Sequence, residues 1–590
     1  MENKFKLLPL FLKDVSKDYK FMFPLTIVKA IFEGLYPLIN IIIPKYILDE
    51  LINAKRIEVI GKYVILLALG NFIFKTIISI SKHELEIYSR SIYYDVSRRI
   101  GVKASKIDIQ VMERKSTLDL FERAKYGSYN IQSFVESITL MISSIITIVS
   151  TIGILVSNDW RLILVIIISN ILTILCFNKI KELDIDFEKR NAPFNRKYAY
   201  FANIANDFRF AKDIRLYKAN KFLLYKAKEV MDGILKINYT YMNKHGFFSG
   251  ITQAIVQVQI IITFILLSIS LVGKKITVGS FTMLYGAANQ LGNSFKNLIE
   301  AYTSLTTLGY NIEPYYEFLE LEEVENNNLE EKNIGESVTI EFKNVSFKYP
   351  NREDYVFEKL SFKVNSKETL AIVGKNGAGK TTIIKLICRL YKPQEGKIYI
   401  NGIDIEQFPT DQYRKFLGVV FQDFKLIPSK VSENIICKKD NEITEIDIQL
   451  AWEKLEETGI KQWLKNQSGG IENYITKIYD KNGLMPSGGQ EQKIAISRAL
   501  AKDGHIIILD EPTAALDPKS EEEVFENLIK LTKGKTSLFI SHRLSSTRIA
   551  DRIIVLDKGK IIEEGNHETL IKEDGLYANM YRIQASQYMV

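Results

Sequence analysis

Six stretches of the chain, at about 21–43, 60–81, 134–156, 160–177, 247–272 and 278–298, are long and apolar enough to cross roughly 30 Å of hydrocarbon as helices. Nothing else in the sequence limits the fold so sharply, because backbone in lipid must satisfy its own hydrogen bonds. All six lie before about Leu305, and the remainder reads as an ordinary soluble α/β sequence. A chain of 590 residues also exceeds one compact core, so two or more domains are expected. We place a membrane domain at 1–325, an acidic linker at 326–336 that starts with three asparagines, and a soluble domain at 337–590.

The spacing of the spans suggests the topology. Spans three and four are joined by residues 157–159 and spans five and six by 273–277, whereas 82–133 and 178–246 are long and charged. Arg98, Arg99, Lys103 and Lys106 fall in the first of these segments, and Lys189, Arg190, Arg196 and Lys197 in the second. Basic segments are retained in the cytoplasm, so both termini are expected inside. The apolar patch Leu7 to Leu12 is broken by Pro9 and flanked by lysines, which is too short for a cleaved signal and suits a segment lying on the inner membrane surface. Lys-, Ile- and Asn-rich usage suggests an AT-rich bacterial genome, and together with the six spans this gives a bacterial plasma membrane as the expected location.

The net charge of +8 is accounted for by basic loops beside anionic lipid, and without a concentrated basic stripe no nucleic-acid partner is expected. Cys176, Cys388 and Cys437 are odd in number and scattered, without a CxxC or Cys/His cluster, so neither a disulfide framework nor a zinc site is expected.

Several polar groups interrupt the spans. Lys29, Glu33 and Lys75 each cost about 2.5–3.5 kcal/mol at mid-bilayer, so they are expected to face protein or water, with Lys29 and Glu33 paired one turn apart. Gln253 and Gln257 share a helix face, and span six carries Gly286, Asn289, Gln290, Gly292, Asn293, Ser294, Lys296 and Asn297. Two readings stay open: close helix packing through small residues, or a hydrated cavity for a polar or peptidic cargo.

The soluble part holds the chemistry. Gly374-Lys375-Asn376-Gly377-Ala378-Gly379-Lys380-Thr381 is a complete phosphate-binding loop between the strand-like 370–373 and a helix-like run opening at Thr382. Its glycines let backbone N–H groups curl around phosphate, Lys380 reaches the terminal phosphates, and Thr381 offers a hydroxyl to magnesium. The apolar run 506–509 ends in Asp510 and Glu511, the first suited to magnesium and the second to polarising an attacking water. Burial explains the isoleucines but not two adjacent carboxylates at a strand end.

Ser487-Gly488-Gly489-Gln490 before a helix-like 491–500 narrows the class. Here the chain resembles the ABC transporter superfamily over essentially its whole length, with Pro486 where the family has leucine. The resemblance implies an α-helical six-span domain of the type IV exporter fold followed by an α/β P-loop nucleotide-binding domain, with ATP and Mg²⁺ as cofactors. It assigns Tyr349 to stacking the adenine, Gln422 to sensing magnesium, Asp517 to a dimer-contact loop and His542 to the switch position, beside Lys380 and Glu511 in catalysis. It further implies two chains sandwiching ATP between one chain's phosphate loop and the other's Ser487–Gln490 segment, as a homodimer or heterodimer. Residues 119–125 and 209–220 stand where the family's short coupling helices dock. The second of these, with Phe421-Gln422-Asp423-Phe424, is similar to the bacteriocin and lanthipeptide exporter branch. Peptide export is therefore expected, with lipid flipping or multidrug export as the alternative. With no cysteine before Cys176, cargo processing by this chain is not expected.

The second carboxylate yields a test. Glu511→Gln should retain ATP binding while hydrolysis falls about 10²–10⁴-fold, the range for losing a positioned general base, as read in a steady-state ATPase assay.

Overall fold

The computed structural model describes the chain except residues 1–6, 54, 130–131, 158, 208–209, 324–328, 336, 351, 479, 512–533, 542–543, 545 and 587–590. It divides into two compact units, one formed by 1–102 and 120–320, the other by 103–119 and 321–590.

In the first unit, α1 (Leu7–Asp18) precedes α2 (Met22–Ile52) and α3 (Ile57–Lys106). After α4 (Ile109–Met112), which belongs to the second unit, come α5 (Lys115–Tyr129), α6 (Gln132–Val156), α7 (Arg161–Asn206), α8 (Ala211–Leu216), α9 (Asn220–Val272) and α10 (Val278–Leu319). All six stretches read from the sequence are helical. Among the described residues, however, only five helices are long and apolar enough to cross a membrane. The sixth, α10, is too polar to join them, for the reason the sequence shows: Asn289, Gln290, Asn293 and Lys296 fall within one span's length.

The charged segments expected as loops are largely helix. They continue the spans, so that α3 is 50 residues long and α9 is 53, about 75–80 Å at 1.5 Å per residue. Phe72, Leu66 and Ile80 on α3, Ile168 and Leu175 on α7, and Ile261 and Ile269 on α9 are exposed, an arrangement suited to lipid contact.

The polar groups of α2 are paired within the bundle. Lys29 is buried and its ammonium lies 3.6 Å from Glu33, the expected one-turn pair. Lys75 sits 5.8 Å from the Tyr36 ring centroid, and Asn40 and Asn71 exchange side-chain hydrogen bonds. At Gly34 helices α2 and α6 touch: the Thr147 hydroxyl donates to its carbonyl at 2.8 Å, and an added Cβ would lie 2.8 Å from Ile146 Cβ.

The second unit is built on two sheets. Strands β1 (Ile340–Phe347), β2 (Phe357–Val364), β4 (Glu395–Ile400) and β5 (Ile403–Asp404) form an antiparallel sheet in the order β2-β1-β4-β5. The second sheet holds β3 (Thr369–Gly374), β6 (Leu417–Val420), β7 (Ile506–Asp510), β8 (Thr536–Ile540), β9 (Arg552–Asp557) and β10 (Lys560–Gly565), ordered β10-β9-β3-β8-β7-β6. All its pairings are parallel except β9 with β10. Its central strands are apolar on both faces, the signature of a covered parallel sheet. Leu370, Ile372, Ile506 and Ile508 enter one core, while Ala371, Val373, Ile507 and Leu509 enter the other.

Helix α11 (Lys380–Ile387) follows β3, and α12 (Thr410–Lys415) precedes β6. Helices α13 (Val431–Ile436), α14 (Glu445–Glu457) and α15 (Lys461–Lys465) build a third core with Ile494 of α16 (Gly488–Ala501). Because Ala495, Ile496 and Ala499 of α16 pack on the sheet, this helix joins the two cores.

One expectation is corrected here. Residues 119–125 lie inside the continuous α5, and the short helix of that region is α4, ten residues earlier, capped by the Asp108 side chain on Gln110 N at 2.8 Å. The 209–220 segment does contain a short helix, α8.

Gly34→Val should loosen the α2–α6 contact, because the added atoms have no room. We expect a loss of about 1–3 kcal/mol, read as a lowered thermal midpoint of the purified protein in detergent.

Candidate functional site: the phosphate loop and its surroundings

The carboxyl ends of β3, β7 and β8 bring the chemical residues together, the edge at which open α/β sheets bind ligands. Gly374 ends β3 with φ +148°, and Gly377 and Gly379 continue with φ +78° and +106°. These angles suit glycine, and at Gly379 a side chain would also strike the Phe357 ring. Gly379 then caps α11, whose first residue is Lys380, so the helix N-terminus faces the loop with Lys375, Asn376 and Gly377 exposed and Ala378 buried.

Lys380 is folded back into this loop, its ammonium donating to the carbonyls of Gly374 at 2.9 Å and Lys375 at 3.1 Å. Burial lowers its pKa from the usual lysine value, against the pull of Glu511 and Asp510. Asp510 is fully buried, and neither carboxylate oxygen accepts a hydrogen bond of normal geometry. Burial raises its pKa to about 6. The nearby Thr381 hydroxyl and Lys380 oppose the rise, and the Glu511 carboxylate adds to it.

Glu511 takes a left-handed backbone, φ +50°, while its N–H donates to the Ile540 carbonyl at 3.0 Å. A non-glycine residue held there stores strain, the kind of conformation that persists where the surroundings over-determine it. Its carboxylate accepts from Gln422 Nε2 at 2.8 Å, bringing together two residues 89 positions apart. Tyr349 sits beside the start of α11, its hydroxyl 3.0 Å from Thr382 Oγ1.

Ser487 caps α16 through a reciprocal pair, Gln490 N to Ser487 Oγ at 3.4 Å and Ser487 N to Gln490 Oε1 at 2.8 Å. Ser487 and Gly488 are exposed, and Gly489 and Gln490 half-buried. Pro486 precedes the cap, so it lies outside the helix and removes no helical bond. Among the described residues, the hydrogen bonds of the Ser487 and Gln490 side chains stay within this segment and do not reach the phosphate loop. Asp517 and His542 lie outside the described residues.

Sequence reasoning missed three supports. Gln492 is buried and donates to the Glu511 carbonyl at 3.3 Å. Arg498 donates to the Asn434 backbone and side-chain oxygens and to the Lys425 carbonyl, tying α13 and the stretch after Gln422 to α16. The third is Tyr391, described below. For Gln492 and Arg498 the available signal was a polar residue on the inner side of α16.

A phosphate loop, a buried acid with free oxygens and a second carboxylate beside it, carried on this pair of sheets and joined to membrane-type helices, define an ATP-hydrolysing membrane transporter. The comparisons with known proteins agree. A family model described as ABC transporter matches residues 357–514. The subtilin transport ATP-binding protein of Bacillus subtilis is 31% identical over 98% of this chain and 95% of its own length. The ATP-dependent lipid A-core flippase of Wigglesworthia glossinidia brevipalpis is 26% identical over 86% of each chain. A solved structure of a bacterial Atm1-family ABC exporter with ATP bound superposes with a TM-score of 0.77, covering 95% of this chain and 97% of that one at 21% identity. The chain belongs to the ABC transporter family, as an exporter half that fuses its membrane helices to its ATPase.

The Asp510 carboxyl gives a pH test. Its folded pKa, about 6, lies above the unfolded aspartate value, so the folded state holds this proton more tightly and ionising the group costs stability. That cost is absent below pH ~4 and complete above pH ~6. Without nucleotide or metal, the stability of Asp510→Asn minus that of the wild type should therefore grow by roughly 2–3 kcal/mol between pH 4 and 7, measured by denaturant unfolding.

Proposed function

We propose that the chain exports a peptide across the bacterial plasma membrane, as one half of a dimer that hydrolyses ATP at two shared sites, with both termini and the ATPase domain in the cytoplasm. The observation that carries the ATP site is Asp510, whose buried and unpartnered oxygens stand beside the Thr381 hydroxyl and Lys380. A hard cation with oxygen ligands fits such a place, and Thr381, Gln422 and Asp510 are the residues that would hold Mg²⁺. When bound, the ion supplies charge neutralisation on the phosphate oxygens.

Lys380 leaves its two carbonyl partners for the terminal phosphates, while the exposed loop amides and the α11 N-terminus hold the remaining oxygens. Tyr349 stacks under the adenine. Glu511, fixed by Gln422 and its strained backbone, orients a water for in-line attack on the γ-phosphorus, and the bond to the bridging oxygen breaks to release ADP. His542 contributes at the γ-phosphate. Ser487–Gln490 and Asp517 act across the dimer, since the exposed α16 N-terminus suits a phosphate supplied by a second chain.

A peptide cargo is supported by a cavity of about 370 Å³ in the membrane unit, lined by Lys181, Asp184, His245, Glu300, Thr303 and Ser304 with Phe177, Ile180, Thr307 and Leu308. Asp184 accepts from the Tyr241 hydroxyl at 2.7 Å, and the cavity presents charges of both signs together with hydroxyls. Such a lining matches the amides and charges of a peptide better than a hydrocarbon chain or an apolar drug. Of the polar residues first suggested for a cavity, Lys29, Glu33, Gln253, Gln257, Asn289 and Asn293, none lines this one: Lys29 is buried in a pair, while Gln253, Gln257 and Asn293 are exposed on the single chain. The full-length likeness to a subtilin transporter favours the same cargo class. The likeness to a lipid A-core flippase keeps lipid as the competing one.

Two experiments follow. A Lys380→Ala chain paired with a Ser487→Arg chain should keep partial ATPase activity, because both lesions fall in one shared site. Both lesions on one chain, paired with a wild-type chain, should damage both sites. Equal activity in dimers purified with distinct tags would remove the shared-site reading. For cargo, Asp184→Asn or Glu300→Gln should raise the peptide concentration for half-maximal ATPase stimulation about tenfold, as expected for losing a bond to a charged group. Stimulation by lipid and none by peptides would transfer the assignment to lipid.

A further inference from the structure

Tyr391 stands between α11 and β4 with only 3% of its surface exposed. Its hydroxyl donates to Glu113 Oε2 at 2.7 Å, immediately after α4, while Lys392 N donates to Gln110 Oε1 inside α4 at 3.3 Å. Burial first, then the Glu113 carboxylate, push the ionisation of this phenol far above the usual tyrosine range, so the hydroxyl stays a donor. The ring has a second neighbour. Tyr349 meets it edge-on, centroids 5.2 Å apart and planes at 85°, and the Lys385 ammonium lies 5.5 Å from the Tyr349 centroid and 5.7 Å from that of Tyr391. Phe347 packs edge-on against both rings.

Tyr349 is therefore held at two points, by Thr382 at its hydroxyl and by Tyr391 along its ring, and Tyr391 is itself held by Glu113. The Glu113 side chain is exposed and sits at the end of a four-residue helix, so the Tyr391 bond, beside that of Lys392 N to Gln110, joins α4 to the aromatic cluster.

We propose that Tyr391 is a positioning residue that makes the docking of α4 and the stacking of the nucleotide base on Tyr349 depend on each other. This rests on reading Tyr349 as the aromatic under the base. With Glu113 bonded, Tyr391 holds the Tyr349 ring for stacking. By linkage a stacked base favours the bonded α4 to the same degree. The turn that continues into the long α3 thus affects the affinity of the site for a nucleoside triphosphate, through its base and not its phosphates.

The test uses the full-length dimer with MgATP as substrate and magnesium tripolyphosphate, which has no base, as a competitive inhibitor. Tyr391→Phe keeps the ring and removes the hydroxyl. Glu113→Ala, on an exposed side chain outside the sheet core, is the second variant should the first fold poorly. In both, the KM for ATP is expected to rise about 3–10-fold with kcat within about twofold, while the Ki of tripolyphosphate stays constant. In a Tyr349→Leu background, Tyr391→Phe should add no further rise. Parallel movement of KM and Ki indicates general loosening and overturns the proposal, as does an undiminished Tyr391→Phe effect without Tyr349, or no rise in KM at all. If Tyr349→Leu alone leaves the KM for ATP unchanged, the base-stacking reading itself fails.

Discussion

A carboxylate buried without a hydrogen-bond partner is the constraint around which the ATPase unit is arranged. Desolvation of Asp510 is unfavourable in the folded chain, and an apolar residue would fill the end of β7 at lower cost. The fold keeps the charge by surrounding it with rigid parts. Strand β8 lies between β3 and β7, two cores clamp the faces of the sheet, and the phosphate loop closes over the strand end. The strained backbone of Glu511 is tolerated for the same reason, since Ile540, Gln422 and Gln492 hold it from three directions.

The same logic separates the two units. Around the nucleotide site of the ATPase unit, polar partners are reached over tens of residues, as with Gln422 and Glu511. In the membrane unit the expensive groups are charges in the spans, and they are met within one helix, as with Lys29 and Glu33 one turn apart, or on a neighbouring helix, as with Lys75 against Tyr36. The charges of the Lys181–Asp184–Glu300 cavity are handled in the same way, Glu300 by Lys296 one turn away at 3.7 Å and Lys181 by the Tyr302 ring at 5.6 Å, but they also border open space, which makes the lining a candidate for contact with cargo.

Much of this was legible in the sequence. The phosphate loop, Asp510 with Glu511 and the Ser487 cap are local signals, in which residue type and spacing dictate the geometry directly. Six helices could be read from apolar runs, but not their lengths: nothing in 82–106 or 178–206 marks where the helix ends, because a helix continues equally well in water when its charges are spaced along it. The position of α4 was misjudged by ten residues because a four-residue helix has no periodicity to read, and its cap, Asp108, is a common residue. Tyr391 was missed because its partners, Glu113 and Tyr349, are remote in sequence, and a lone tyrosine after a helix looks like filler for a core.

Helix α3 contains no proline, unlike α2, α7 and α10, so it lacks the usual point of bending over its 50 residues. A rod of roughly 75 Å acts as a lever: tilting it by about 5° carries its far end some 6–7 Å, more than one helical turn of rise. A hydrogen bond fails after a displacement of well under 1 Å. Movement at one end of such an arm is therefore magnified at the other, and amplification of this kind asks for stiffness along the arm rather than for any large rearrangement within it.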